Sequence, residues 1–116
     1  FIVGGFGGRV DHTLANFQML NFAAAHHAHA AMYDGDNWAT VVRNGAARIP
    51  ARNGKLSVFA LDAVCKGVYE RGVKYPLMDA TLTNIFPLGV SNEFAAPEAE
   101  ISVDEGALLI VIDPED

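Results

Sequence analysis

The stretch GGFGGRVDH, residues 4–12, sets four glycines, an arginine, an aspartate and a histidine between an apolar triplet and a helical pattern. Gly7 and Gly8 let a backbone approach a ligand closely. Arg9 follows with a forked cation that matches phosphate oxygens, and the helix opening behind it presents unpaired N–H groups. Those groups together make an anion site. Asp11 stands where the helix starts and reads as its N-cap. His12 and Asn16 are four residues apart, so they share one helical face beside the turn, away from the apolar stripe. A plain strand-to-helix turn remains the competing reading. A dinucleotide fingerprint starting at Gly5 and Gly7 would put Val10 where the third small residue belongs, and no G-K-[ST] follows to make a phosphate loop.

Other chemistry-bearing groups are weaker. Of His26, His27 and His29 only the first and last share a helical face, and no cysteine or carboxylate lies at ligand spacing, so no metal site is read. Asp34 and Asp36 flank a glycine and read as a hairpin turn. Ser91 sits in G-V-S-N-E, without the second glycine of a nucleophile elbow.

The elements that must position these residues change character along the chain. Residues 1–3 read as a buried strand ending in glycines. Val10, Leu14, Phe17, Leu20 or Asn21, and Ala24 then fall at helical steps, and the alanine-rich tract carries the helix toward the histidines. Residues 29–33 and 38–43 read as strands. Strand, glycine turn, helix and strand in series is the grammar of a parallel sheet. Beyond Asn44-Gly45 no helical period survives. Short apolar stretches at 55–61, 64–70, 80–83, 89–94, 100–103 and 107–112 recur between turn signals, the pattern of an all-β sandwich. The expected architecture is an α/β tail over residues 1–45 followed by a sandwich over 46–116. One strand, one helix and a hairpin cannot cover a parallel sheet, so the first stretch is expected to be the end of a larger α/β domain.

With 116 residues, half of them apolar, the chain has material for a real core. Its net charge of −6 and scattered basic residues argue against nucleic-acid binding. No segment approaches the ~20 apolar residues of a membrane helix, and the single Cys65 fits a reducing compartment. A cytoplasmic protein is expected.

GGFGGRVDHTLAN resembles the G-x-x-G-G-R-x-D-H-x-x-x-N segment of the thiamin pyrophosphokinases. RGVKYPLMDATL is similar to that family's G-[LV]-K-Y-P-L segment, LGVSNEF to its G-x-S-N-E-F segment, and EAEISVDEGALLIVI to its closing hairpin. The resemblance implies a homodimeric enzyme that moves a pyrophosphoryl group from ATP to the hydroxyl of thiamine. It implies a Rossmann-like α/β kinase domain followed by a thiamine-binding sandwich, with the thiamine site shared between protomers. Aspartates that hold Mg²⁺ and the ATP phosphates would precede Phe1, making this chain a C-terminal part. Arg9 would then stabilise phosphate charge, Asp11 would orient Arg9 or the thiamine hydroxyl, and Gly7 and Gly8 would approach the nucleotide. His12 and Asn16 would contact substrate, Tyr75 would offer its ring to the thiazolium cation, and Ser91 and Asn92 would read the aminopyrimidine edge. A non-catalytic sandwich that binds a small molecule or regulates is the alternative.

Overall fold

The computed structural model describes residues 2–3, 10–34 and 37–114. In chain order the elements are β1 (Ile2–Val3), α1 (Val10–Ala25), β2 (Ala31–Asp34), β3 (Asn37–Arg43), β4 (Ala46–Pro50), β5 (Lys55–Ala60), β6 (Val64–Arg71), β7 (Leu77–Thr83), β8 (Gly89–Asn92), β9 (Glu98–Glu105) and β10 (Ala107–Asp113). They form a six-stranded sheet, β1-β2-β3-β10-β5-β8, and a four-stranded sheet, β4-β9-β6-β7. Only β1 and β2 run parallel, joined by α1, as the strand–helix–strand reading expects. β3 turns back antiparallel to β2 and then pairs with β10, so strands from both stretches of the chain share one sheet.

Strand β10 explains the layering. Its side chains alternate, and Leu108, Ile110 and Ile112 enter a core shared with Leu56 and Val58 of β5, Val68 of β6 and Ile101 of β9. Ala107, Leu109 and Val111 point the other way, to Leu20, Phe17 and Ala24 of α1. The second face of this all-apolar strand is therefore covered by a helix of the same chain. Arg43 ties the helix down, reaching Asn21 at 3.2 Å and Asp62 at 3.5 Å, and Asp62 also accepts the Ala107 N–H at 3.1 Å.

Three local readings differ from the structure. The helix begins at Val10, so Asp11 lies inside its first turn; there its Oδ1 accepts the His12 N–H at 2.9 Å. The 98–112 segment is not a hairpin, because β9 and β10 belong to opposite sheets. Gly106 makes the crossing at φ +118°, where a Cβ would meet Cys65 Sγ at 2.7 Å. β4 has no counterpart in the sequence reading, since a single inward residue, Ile49, sits on an edge strand that ends in proline. At its far end α1 closes with His27 in the left-handed region at φ 61°. The Ala28 N–H reaches Ala23 O at 2.9 Å and the His27 N–H reaches Ala24 O at 3.1 Å, the paired bonds of a Schellman cap. Among the described residues no helix is long and apolar enough to cross a membrane.

The helix-on-sheet contact yields a contrast in stability. Leu20 is 1% exposed and Leu14 is 57% exposed. Leu20→Ala is expected to cost about 2–5 kcal/mol and Leu14→Ala less than about 0.5 kcal/mol, read by denaturant unfolding. Equal costs would mean that α1 does not seal this face as described.

Candidate functional site

The two sheets do not close at the edges formed by β7 and β8. A cavity of about 230 Å³ opens there, lined by Glu70, Tyr75, Pro76, Leu77, Leu88, Gly89, Val90 and Asn92. It draws on both motif-bearing segments of the second half, residues 71–82 and 88–94. Larger cavities of about 260, 310 and 480 Å³ lie beside His27, beside Trp38 and under Leu14, and none has a lining carboxylate.

Asn92 builds this site from within. Its Nδ2 donates to Tyr75 O at 2.9 Å and to Glu70 Oε1 at 3.4 Å. Its Oδ1 accepts the N–H of Tyr75 at 3.0 Å and that of Glu93 at 2.9 Å. An amide side chain offers two donors and two acceptor positions, and all four are used. Asn92 is buried and clamps the Tyr75 backbone to β8, where the sequence reading had given it a substrate edge. Tyr75 is 61% exposed, as a ring available to a ligand must be. Lys74 Nζ stands 5.4 Å from its centroid and 3.2 Å from Glu93 Oε2, and Glu93 Oε1 reaches Lys55 at 3.0 Å. Hydrogen bonding to the two lysines holds the Glu93 carboxyl below its ordinary range, and hydrogen bonding to Glu93 raises the Lys74 ammonium.

Ser91 is exposed at φ 62°, a conformation that costs a non-glycine residue of order 1 kcal/mol, and its N–H donates to Ser57 Oγ at 2.9 Å. The pairing of β8 with β5 slips by one residue here, since Leu56 faces Asn92 and Val58 faces Gly89. That bulge separates Ser91 from the lining set.

The other expected site residues lie elsewhere. Asp11 and His12 are exposed on the first turn of α1, and Asn16 is half-buried one turn further. α1 packs on β2, β3 and β10, on the face of the six-stranded sheet away from the sandwich interior, and contributes nothing to the cavity lining. Within one chain the structure keeps the helix start apart from the Tyr75 cavity. Gly7, Gly8 and Arg9 fall outside the described residues.

The residue that sequence reasoning missed is Glu70. It is fully buried, its Oε2 has no hydrogen-bond partner, and a Cβ on Gly89 would stand 3.0 Å from that oxygen. Burial pushes its carboxyl up to about 7, with the Asn92 bond opposing. Strict alternation from the buried Cys65 would have sent Glu70 outward. Gly67, at φ 65°, bulges the strand so that Cys65 and Val68, three apart, both face inward, and Glu70 follows Val68.

A two-layered β-sandwich with a helix on its outer face and a cleft of small-molecule size at one open edge defines a ligand-binding β domain. The family model described as thiamin pyrophosphokinase, vitamin B1 binding domain, matches residues 47–108, and the chain belongs to that family. Among solved structures it is similar to the thiamine pyrophosphokinase of Bacillus subtilis, at 26% identity and a TM-score of 0.91 over 99% of this chain and 55% of that one. The thiamin pyrophosphokinase of Geobacillus thermodenitrificans shares the fold at 24% identity and a TM-score of 0.86, over 98% and 53%. The yeast enzyme does so at 16% identity and 0.75, over 96% and 38%. The chain thus spans about half the length of its bacterial relatives or less. No curated protein matches its sequence.

The buried carboxyl makes stability depend on pH in a definite direction. A folded-state value of about 7 against an ordinary 4.5 means that the folded chain holds the proton over this window and the unfolded chain does not. Stability from this group is present below 4.5 and is lost as pH rises to about 7, by at most about 3 kcal/mol. Unfolding titrations of wild type and Glu70→Gln should diverge over that window, with the variant lacking this decline. Parallel curves would refute the assignment.

Proposed function

We propose that this chain is the thiamine-binding part of an enzyme that transfers a pyrophosphoryl group from ATP to thiamine. The observation that carries this reading is the cleft between β7 and β8. The matched family segment builds it, and it offers an exposed aromatic ring, an apolar wall and a buried polar floor. Thiamine has matching parts in a flat aminopyrimidine and a cationic thiazolium. The Tyr75 ring attracts the cation by roughly 0.5–2 kcal/mol. Glu93 bonds both Lys55 and Lys74 and so reduces, without cancelling, the positive charge beside the ring.

Residues 1–45 are read as the tail of the α/β kinase domain, with Gly7, Gly8 and Arg9 toward ATP and Asp11, His12 and Asn16 toward the reacting hydroxyl. Phosphoryl transfer needs charge stabilisation and alignment above all, and Arg9 and the helix start supply both kinds of group. Among the described residues no three histidine, cysteine or acidic side chains converge to hold a metal ion. The helix start and the Tyr75 cavity lie on different faces of one sheet, so a ligand touching both draws on two copies of the chain. That separation supports reading the protein as a homodimer with a shared site.

Two measurements test this reading in the native protein. Tyr75→Ala should raise the thiamine KM about three- to thirtyfold and leave the ATP KM nearly unchanged, with Tyr75→Phe mild because the ring carries the attraction. An unchanged thiamine KM in the alanine variant would remove Tyr75 from the site. Separately, an Arg9→Ala chain mixed with a Tyr75→Ala chain should regain, at low thiamine, activity that each lacks alone, because one of the two shared sites is then wild type. Confirmed subunit exchange without recovery would refute the shared site.

A further inference from the structure

Glu70 has no part in the reading so far. It lies on the floor of the Tyr75 cavity, wholly withdrawn from water, and one of its two oxygens is bonded. A buried polar atom with no partner costs about 1–3 kcal/mol, so a chain that keeps one beside a cavity invites a ligand atom to complete it. Two features define which oxygen and which kind of atom. Oε1 already accepts from Asn92 Nδ2, whose other proton is held by Tyr75 O, so Oε1 plays the carbonyl part. Oε2 stands against Gly89, the one lining residue without a side chain to cover it.

The surroundings favour the neutral acid. Ile101 of β9 and Leu77 of β7 flank Glu70 within its sheet, and Gly89 and Asn92 face it from the other. The charged and titratable groups on the elements around it turn elsewhere. Lys74 and Glu93 pair with each other, Tyr75 is exposed at the rim, and Arg71 pairs with Glu100 on β9. With no cation bonded to it and burial raising its carboxyl to about 7, Glu70 holds its proton below neutral pH and gives it up as pH rises past about 7. With Oε1 accepting, that proton sits on Oε2.

We propose that Glu70 is a specificity-determining residue whose Oε2–H donates a hydrogen bond to an aromatic ring nitrogen of the ligand held in the Tyr75 cavity. The inference rests on the thiamine reading and deepens it, because it assigns a pyrimidine nitrogen, not the amino group, to the cavity floor. Gly89 is then required to be small for access as well as for packing.

The test uses the native protein and titration calorimetry with thiamine at pH 6 and pH 8. Wild type should bind up to about tenfold more weakly at pH 8, where the donor is mostly lost. Glu70→Gln keeps a neutral donor in the same place, so it should hold the low-pH affinity at both pH values. Glu70→Leu should bind about tenfold more weakly at both. Of two thiamine analogues, each with one pyrimidine nitrogen replaced by C–H, one should lose about tenfold against wild type and nothing further against Glu70→Leu. If Glu70→Leu does not fold, the Gln variant and the analogues against wild type decide the matter. Thiamine binding with Glu70→Gln as weak as Glu70→Leu, a pH dependence that survives in Glu70→Gln, or analogues that bind wild type as thiamine does would overturn the proposal and leave the thiamine reading standing. Absence of thiamine binding by wild type at both pH values would overturn both.

Discussion

Residues 107–112 carry no polar side chain, and a strand of that kind must be covered on both faces. Much of this fold is the consequence. One face of β10 meets the four-stranded sheet and closes the sandwich, and the other receives α1. Because β10 also pairs with β3 on one side and β5 on the other, it joins the helix-bearing early strands to the later β segments in one sheet. Asp62 fixes the same strand at its start, through the Ala107 N–H, and holds Arg43 there with it. Disturbing β10 would loosen the helix and the sandwich together.

The cavity depends on a second and more local constraint. A buried amide with all four bonding positions filled holds two loop-bearing segments in register, and no other polar contact between residues 74–76 and β8 has that completeness. The strain at Ser91 and the slipped pairing beside it belong to the same design. They aim Asn92 inward, Val90 toward the cavity and Ser91 out to solvent. Rigid placement of an exposed tyrosine on a loop is costly in entropy, and this clamp is what offsets it.

Much of this was legible in the chain because the period of the apolar residues changes at Asn44-Gly45, and because the later strands are punctuated by proline and glycine. β4 was not legible, since an edge strand with one inward side chain leaves almost no pattern. The crossing at Gly106 was not legible either, because a glycine between two strands reads equally as a hairpin turn or a corner between sheets. Tyr75 and the 88–94 segment could be named from residue types. Glu70 could not, because its inward direction depends on a bulge of one extra residue at Gly67, and a single flip of parity reverses the face of every later residue on the strand. Asn92 was named but for the wrong bonds, as composition does not reveal which of its partners are backbone atoms.

Polar groups in this domain therefore divide by what their surroundings allow. Glu93, at the rim, remains a carboxylate because two lysines bond it, and it acts on the cleft only through charge. Glu70, on β6 in the other sheet and cut off from water, is driven toward the neutral acid by burial, with the opposite sign.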